Sequence, residues 1–226
     1  MPDAKTAMLA RIALQYVDEK PKKTLVVGCG SGIEAAVLSQ ELGGEVTGID
    51  LEDRFDAVAG REAHLQVGDA TQMTFADGSF DFVYSYHALE HIPHYRKALQ
   101  EINRVLAPNG HWCIGTPNRS RLIGYLGSKD ATAKEKILWN VDDWQSRLRG
   151  QFKNECGAHA GFTAGELSGE LSRELGAARN ITQEYYRTLY ARHAPTVAWI
   201  YRCGVDRFIF PAVYFMGRID DAALNA

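Results

Sequence analysis

No stretch of this 226-residue chain is apolar and uninterrupted for long enough to span a bilayer. The first residues, Met1 to Thr6, lack the apolar core of a secretory leader. Together these absences give a cytoplasmic location as the expectation. Cysteine is sparse: Cys29, Cys113, Cys156 and Cys203 form no C-x-x-C pair. Neither a disulfide frame nor a zinc site is expected, and no metal is assigned. Repeats and low-complexity tracts are missing. A net charge of −3 leaves no general basic field for nucleic acid. What is present, 46% hydrophobic and 23% charged residues, suits one globular domain over 1–226.

Within that composition one stretch organises the rest. Leu25-Val26-Val27 is a short β-branched run of the kind buried on both faces of a parallel sheet. Gly28, Gly30 and Gly32 follow at alternate positions, and Glu34 to Leu42 reads as a helix. Strand, glycine turn and helix form the first half of a nucleotide-binding unit, in which the backbone approaches a ligand closely and the helix start favours an anion. Dinucleotide binding wants a small residue where this chain has Ile33. That bulk argues against a nicotinamide-dependent oxidoreductase.

Elsewhere the pattern alternates. An amphipathic helix over Ala7 to Asp18 precedes the turn, and Glu45 to Asp50 is a second strand ending in an acid. A short helix is predicted over Leu51 to Ala59, a third strand over Leu65 to Val67, and an aromatic fourth strand over Phe80 to Tyr86. Pro93 to Leu106 is the most regular helix, and His111 to Gly115 the fifth strand. Strands alternating with helices imply a doubly wound parallel sheet. The 118–161 segment breaks this rhythm, although Ile137, Leu138, Val141, Trp144 and Leu148 recur at helical spacing. Thr163 and Glu166 have capping-box spacing, flanked by Phe162 and Leu167 as a hydrophobic staple. Asn180 to Tyr186 is predicted as a strand, Val197 to Tyr201 as a helix and Phe208 to Met216 as the last strand.

Spacing places further candidates around the turn. Asp50 stands where an acid accepts hydrogen bonds from a ribose, or is an ordinary turn residue. Asp69 and Ala70, after the third strand, suit an adenine amino group and ring; for Asp69 the plainer reading is a helix N-cap. Ser85, Tyr86 and His87 end the fourth strand at the switch point where open α/β sheets bind ligands.

These motifs (Val-Val-Gly-Cys-Gly-Ser-Gly, Gly-Ile-Asp, Gly-Asp-Ala, Phe-Asp-Phe-Val-Tyr-Ser, His-Ala-Leu-Glu-His-Ile and Arg-Val-Leu-Ala-Pro-Asn-Gly-His) resemble those of class I S-adenosylmethionine-dependent methyltransferases. The branch most similar methylates quinone precursors and other small molecules, and the resemblance runs from about Leu25 to Asn118. It implies a seven-stranded, mostly parallel Rossmann-like sheet with an antiparallel last strand. It implies S-adenosyl-L-methionine as cofactor: Gly28, Gly30 and Gly32 around the methionine part, and Asp50 on the ribose hydroxyls. Asp69 and Ala70 would lie at the adenine, with Ser85 and Tyr86 lending backbone to the methionine amino group.

Methyl transfer from a sulfonium is an in-line displacement that mostly needs alignment, with a base only if the acceptor must lose a proton. His87 is the first candidate and His91, with Glu90 beside it, the second; both are equally readable as packing residues. His159, with Tyr185 and Tyr186, is a third from the substrate side. No Asn/Asp-Pro-Pro-Tyr follows the fourth strand and no proline precedes a cysteine. The motifs of methyltransferases that act on DNA bases are thus absent, and a small-molecule acceptor is expected. From Asn118 to Lys153 eight basic residues face four acidic ones. One reading is a helical lid over an anionic or carrier-linked acceptor, with Trp139 and Trp144 lining an apolar pocket. The other is a solvated helix face with salt-bridge pairs. An aminopropyl transferase and a catalytically silent module on the same fold remain as rivals, since fold alone does not prove chemistry.

Overall fold

The structure is a computed structural model, and it describes residues 4–125, 131–154 and 160–219. Its seven strands are β1 (Lys23–Val27), β2 (Glu45–Asp50), β3 (His64–Val67), β4 (Phe80–Tyr86), β5 (Leu106–Pro117), β6 (Ala178–Asn180) and β7 (Ala212–Arg218). They form one sheet in the order β3-β2-β1-β4-β5-β7-β6. Strands β1 to β5 pair in parallel, whereas β7 runs antiparallel to both β5 and β6. This is the doubly wound, mostly parallel sheet with an antiparallel last strand. The order reverses at β1, which lies between β2 and β4, so the crevice opens beyond Val27 and its register partner Ser85.

Alternation within the strands explains the two-sided core. Val26, Phe82, Tyr84, Cys113, Tyr214 and Met216 point to one face, and Leu25, Val27, Val83, Trp112, Ile114, Val213 and Phe215 to the other. The first face is covered by helices α1 (Ala4–Ala13) and α2 (Ile33–Leu42), and beyond the one-turn α3 (Ala59–Glu62) by α7 (Thr182–Leu189) and α8 (Ala194–Arg202). The second face is covered by α4 (Tyr95–Val105) and α6 (Ala164–Leu175). The capping box is present: the Thr163 side chain accepts from Glu166 N, and the Glu166 carboxylate accepts from Thr163 N at 2.8 Å. Phe162 and Leu167 are both buried in the second core cluster, as a staple requires.

Several expectations are corrected. The stretch predicted as helix over Leu51 to Ala59 has no helix before Ala59. The first helix starts and ends earlier than predicted. The fifth strand begins at Leu106, because a register shift between Phe80 and Phe82 accommodates the Pro108-Asn109-Gly110 turn within it. Asn180 to Tyr186 is not one strand: β6 ends at Asn180, and α7 follows. Ile181, Tyr185 and Tyr186 repeat at helical spacing and bury completely, and that packing outweighs the β-propensity of the tyrosines. Phe208 lies in a short helix, α9 (Asp206–Ile209), before β7.

The 118–161 insertion contains α5 (Ala133–Leu148), capped by Thr132 and Glu135. A polar stripe holds it against residues 119–125. Asn140 Oδ1 accepts from Gly124 N at 2.6 Å, Asp143 accepts from the Tyr125 hydroxyl at 3.1 Å, and Arg147 donates to the Arg119 and Arg121 carbonyls. The Arg147 guanidinium also sits 3.9 Å from the Phe152 ring centroid.

Candidate functional site

The glycine turn is stitched to the end of β2. Gly28 N and Cys29 N both donate to the Ile49 carbonyl, and Gly30 N donates to Asp50 Oδ2 at 2.8 Å. All three glycines adopt positive φ. Two of them are required by the protein itself. A Cβ on Gly28 would lie 2.3 Å from Ala88 Cβ, and one on Gly32 would lie 2.3 Å from Leu65 Cδ1. At Gly30 an added Cβ would meet nothing within 4 Å. Close approach of a ligand to the backbone is therefore a reason for glycine at Gly30, while Gly28 and Gly32 let the turn close on its neighbours.

Asp50 sits at the carboxyl end of β2 with one oxygen on Gly30 N and the other 3.3 Å from Glu52 N. Carboxylate oxygens accept more than one hydrogen bond, so it would still reach the hydroxyls of a ribose. Asp69 is exposed just past β3 and folds back on Thr71, accepting from its N–H at 2.7 Å and its hydroxyl at 2.8 Å. The Thr71 N–H holds its carboxyl below the usual range. Asp69 opens a turn, with Gln72 N on its carbonyl, and is not a helix N-cap. Ala70 is buried beside it. Ser85 is buried, its hydroxyl donating to the Val27 carbonyl across the switch point at 3.1 Å. Tyr86 stacks on Tyr214 at 5.7 Å and meets the His87 ring edge-on at 4.1 Å.

Past β4 the chain turns sharply. His87 has φ 53°, a left-handed conformation disfavoured for a residue with a side chain. Its N–H donates to the Gly115 carbonyl at 2.9 Å, which fixes the turn to β5. A single 3-10 turn, Leu89–His91, follows and carries Glu90 inward. The Glu90 side chain is fully buried; His87 Nδ1 lies 3.6 Å from its Oε1, and His91 Nε2 lies 3.8 Å from the same atom. Among the described residues, no other residue makes a hydrogen bond to either Glu90 oxygen. Burial pushes its carboxyl up to about 7, against the opposing pull of its own backbone and of Arg121. Glu90 is the residue that sequence reasoning underrated: a lone glutamate reads as surface, and the one available signal was its place between two histidines.

Other sequence candidates are not brought here. The Tyr186 hydroxyl donates to the Ala212 carbonyl and accepts from Ala212 N, and Tyr185 is buried in the first core cluster. Both are core residues. His159 lies outside the described residues. Trp139 and Trp144 do not line a buried pocket: they are 39% and 45% exposed, and the Trp144 indole donates to the Leu122 carbonyl. A cavity of about 490 Å³ lies at the same edge of the sheet, beyond β5 and β7, lined by Asn118, Ser120, Thr163, Thr182, Arg207 and Phe210, among others. Among the described residues, no group of three or more metal-ligating side chains occurs.

Residues 25–114, from β1 to β5, match a family described as methyltransferase domain. The match takes in the glycine turn, Asp50, Asp69 and the end of β4, the same motifs that resemble class I S-adenosylmethionine-dependent methyltransferases. Demethylmenaquinone methyltransferase from Staphylococcus aureus (strain JH9) is 42% identical over 100 residues, covering 40% of this chain and 41% of that protein. The rice (Oryza sativa subsp. japonica) protein described as a probable tocopherol O-methyltransferase, chloroplastic, is 36% identical over 110 residues, 42% of this chain and 30% of that one. The chain thus spans well under half the length of these curated relatives. In architecture it is similar to phosphoethanolamine N-methyltransferase 2 from Haemonchus contortus, solved with S-adenosyl-L-methionine. That similarity has a TM-score of 0.59 at 18% identity and covers 96% of this chain and 52% of the other.

Proposed function

We propose that this chain transfers a methyl group from S-adenosyl-L-methionine to a small-molecule acceptor by in-line displacement. The observation that carries the reading is convergence. The glycine turn, Asp50 and the His87–Glu90–His91 cluster all lie at the carboxyl edge of β1, β2 and β4, inside the segment that matches the methyltransferase family. When bound, S-adenosylmethionine supplies a methyl group already activated on a positive sulfur. Gly28, Gly30 and Gly32 would hold its methionine part, Asp50 its ribose, and Asp69 and Ala70 its adenine. Ser85 and Tyr86 would offer backbone to its amino group.

His87 would remove the acceptor proton where one must leave, and Glu90 would hold the His87 ring through Nδ1. Such a base accounts typically for about 10²–10⁴-fold in rate. His87→Ala is therefore expected to lower kcat by that order with little change in S-adenosylhomocysteine affinity. A kcat unchanged in His87→Ala would remove the base and leave alignment alone. The acceptor would enter by the cavity beside Asn118 and Arg207, and the basic 118–161 insertion would close over an anionic or carrier-linked acceptor. The relatives are named for tocopherol and demethylmenaquinone, and an acceptor of that type is part of this proposal. No helix among the described residues is long and apolar enough to cross a membrane; a cytoplasmic location is part of this proposal. The test is transfer of label from methyl-labelled S-adenosylmethionine into acceptor extracts. Label found in a small molecule with the wild type and lost with Asp50→Ala supports the proposal. No label transfer to any acceptor fraction would support a silent module on this fold.

The buried carboxylate gives a further expected result. Its pKa is raised in the folded state, so the fold binds more protons than the unfolded chain between about 4.5 and about 7. Stability then falls as pH rises through that window and levels off above it. Glu90→Gln removes the titration, and the gap between variant and wild type should widen by up to roughly 3 kcal/mol from pH 4.5 to pH 8. Denaturant melts at the two pH values check it; parallel pH profiles for the two proteins would show that Glu90 does not titrate in this range.

A further inference from the structure

Glu90 carries its carboxyl where ionisation is expensive. The side chain is fully buried, and both oxygens lack a hydrogen bond from another described residue. His87 Nδ1 and His91 Nε2 stand 3.6 Å and 3.8 Å from one of them, beyond hydrogen-bond length. Packing alone does not account for an acid left in this state. The place of the residue is fixed as tightly as its burial. Ala88 packs on the glycine turn, since a Cβ on Gly28 would stand 2.3 Å from Ala88 Cβ. His87, at φ 53°, bends the chain and bonds its N–H to the Gly115 carbonyl. The buried acid is thereby held beside the turn assigned above to the methionine part of the cofactor.

The surrounding charges leave that acid unbalanced. Arg121 faces it from the segment after β5, but its guanidinium is shared with Asp143 at 3.5 Å. The 3-10 turn also packs on α4 and β5. Helix α4 brings His94 and Tyr95 at its start, and β5 has no ionisable residue from Ile114 to Pro117, where His87 meets it. On the glycine turn, Asp50 is tied to Gly30 N–H, and burial pushes the Cys29 thiol up to about 12, so it stays neutral.

We propose that Glu90 is the counter-charge to the sulfonium of S-adenosylmethionine, through which the site prefers the charged donor to its neutral product. The inference rests on the cofactor reading given above. Attraction between opposite charges is strong at short range where water is excluded. A bound sulfonium favours the ionised acid, and by linkage the ionised acid favours the sulfonium. S-adenosylhomocysteine has the same adenosine and amino-acid parts around an uncharged sulfur, so the acid does not discriminate in its favour. In the free protein the carboxyl titrates at about 7. Below that pH it is protonated, and binding a sulfonium must drive the proton off. Above it that step is already complete, and the preference levels off.

Calorimetric titration of the wild-type chain at several pH values tests this. Relative to S-adenosylhomocysteine, affinity for S-adenosylmethionine should rise by up to about tenfold from pH 5.5 to pH 7.5. Titrations in buffers of different ionisation enthalpy count the protons released. Near pH 6.5, S-adenosylmethionine should release about half a proton or more beyond the count for S-adenosylhomocysteine. In Glu90→Gln both the extra proton and the pH-dependent preference should vanish, with S-adenosylhomocysteine affinity close to that of the wild type. The proton count is made on the wild type, so it stands whether or not the variant folds. Equal proton release for the two ligands, or a preference unchanged in Glu90→Gln, would overturn the inference and leave the cofactor reading intact. Binding of neither ligand would overturn both.

Discussion

Gly28→Ala is expected to cost about 2–5 kcal/mol of stability and to disable the cofactor turn with it. Two terms add. The residue has φ 72°, where a side chain costs about 1–2 kcal/mol. The new methyl group would also stand 2.3 Å from Ala88 Cβ, and overlap of that kind in a packed region costs about 1–3 kcal/mol. For a domain of this size the melting temperature should fall by roughly 4–20 °C. The clash is with the loop that carries His87 and Glu90, so the substitution also pushes that loop away from the turn. Ala88→Gly removes the partner of the clash. The double variant should recover the overlap term and keep only the backbone term, a coupling readable in a double-mutant cycle. Additive effects of the two changes would mean that the turn and the His87 loop are not packed as described.

Asp50→Ala should weaken S-adenosylhomocysteine binding by about 10²-fold. Hydrogen bonds to a charged group contribute about 1.5–3 kcal/mol, and each 1.4 kcal/mol is tenfold in affinity. Part of the loss comes from the turn itself, because Asp50 Oδ2 holds Gly30 N–H. Asp50→Asn separates the two contributions: its amide oxygen can still accept from Gly30, but the charge offered to the ribose is gone. An intermediate loss of affinity with near-normal thermal stability is expected. Equal affinity in all three proteins, measured by calorimetry, would remove Asp50 from the cofactor site.

Much of this frame was legible because burial on two faces leaves a plain signature. Leu25 to Val27 is apolar without alternation, and its residues do divide between both core clusters. Thr163 and Glu166 announce a helix start through side chains that act locally, so no tertiary knowledge was needed. The stretches that misled are those in which long-range packing decides. The three-residue strand β6 is held by its antiparallel pairing with β7, and the tyrosines after it fold as helix to fill the core beneath α1. The apolar periodicity of α5 correctly announced a helix, but not that most of its apolar residues face solvent. Asn140 and Arg147, which look like solvent residues in the sequence, anchor its inner side. Glu90 was hidden for the opposite reason: a charged residue in a 3-10 turn gives no pattern, and only the left-handed bend at His87 turns it inward.

The identity of the ligand at the Gly28–Gly32 turn is the claim on which the rest depends. Calorimetric titration of the full chain with S-adenosylhomocysteine and, separately, with NADH tests it most directly. The account predicts one site for S-adenosylhomocysteine, weakened about 10²-fold in Asp50→Ala, and no heat of binding for NADH. Saturable binding of NADH with none of S-adenosylhomocysteine would contradict it.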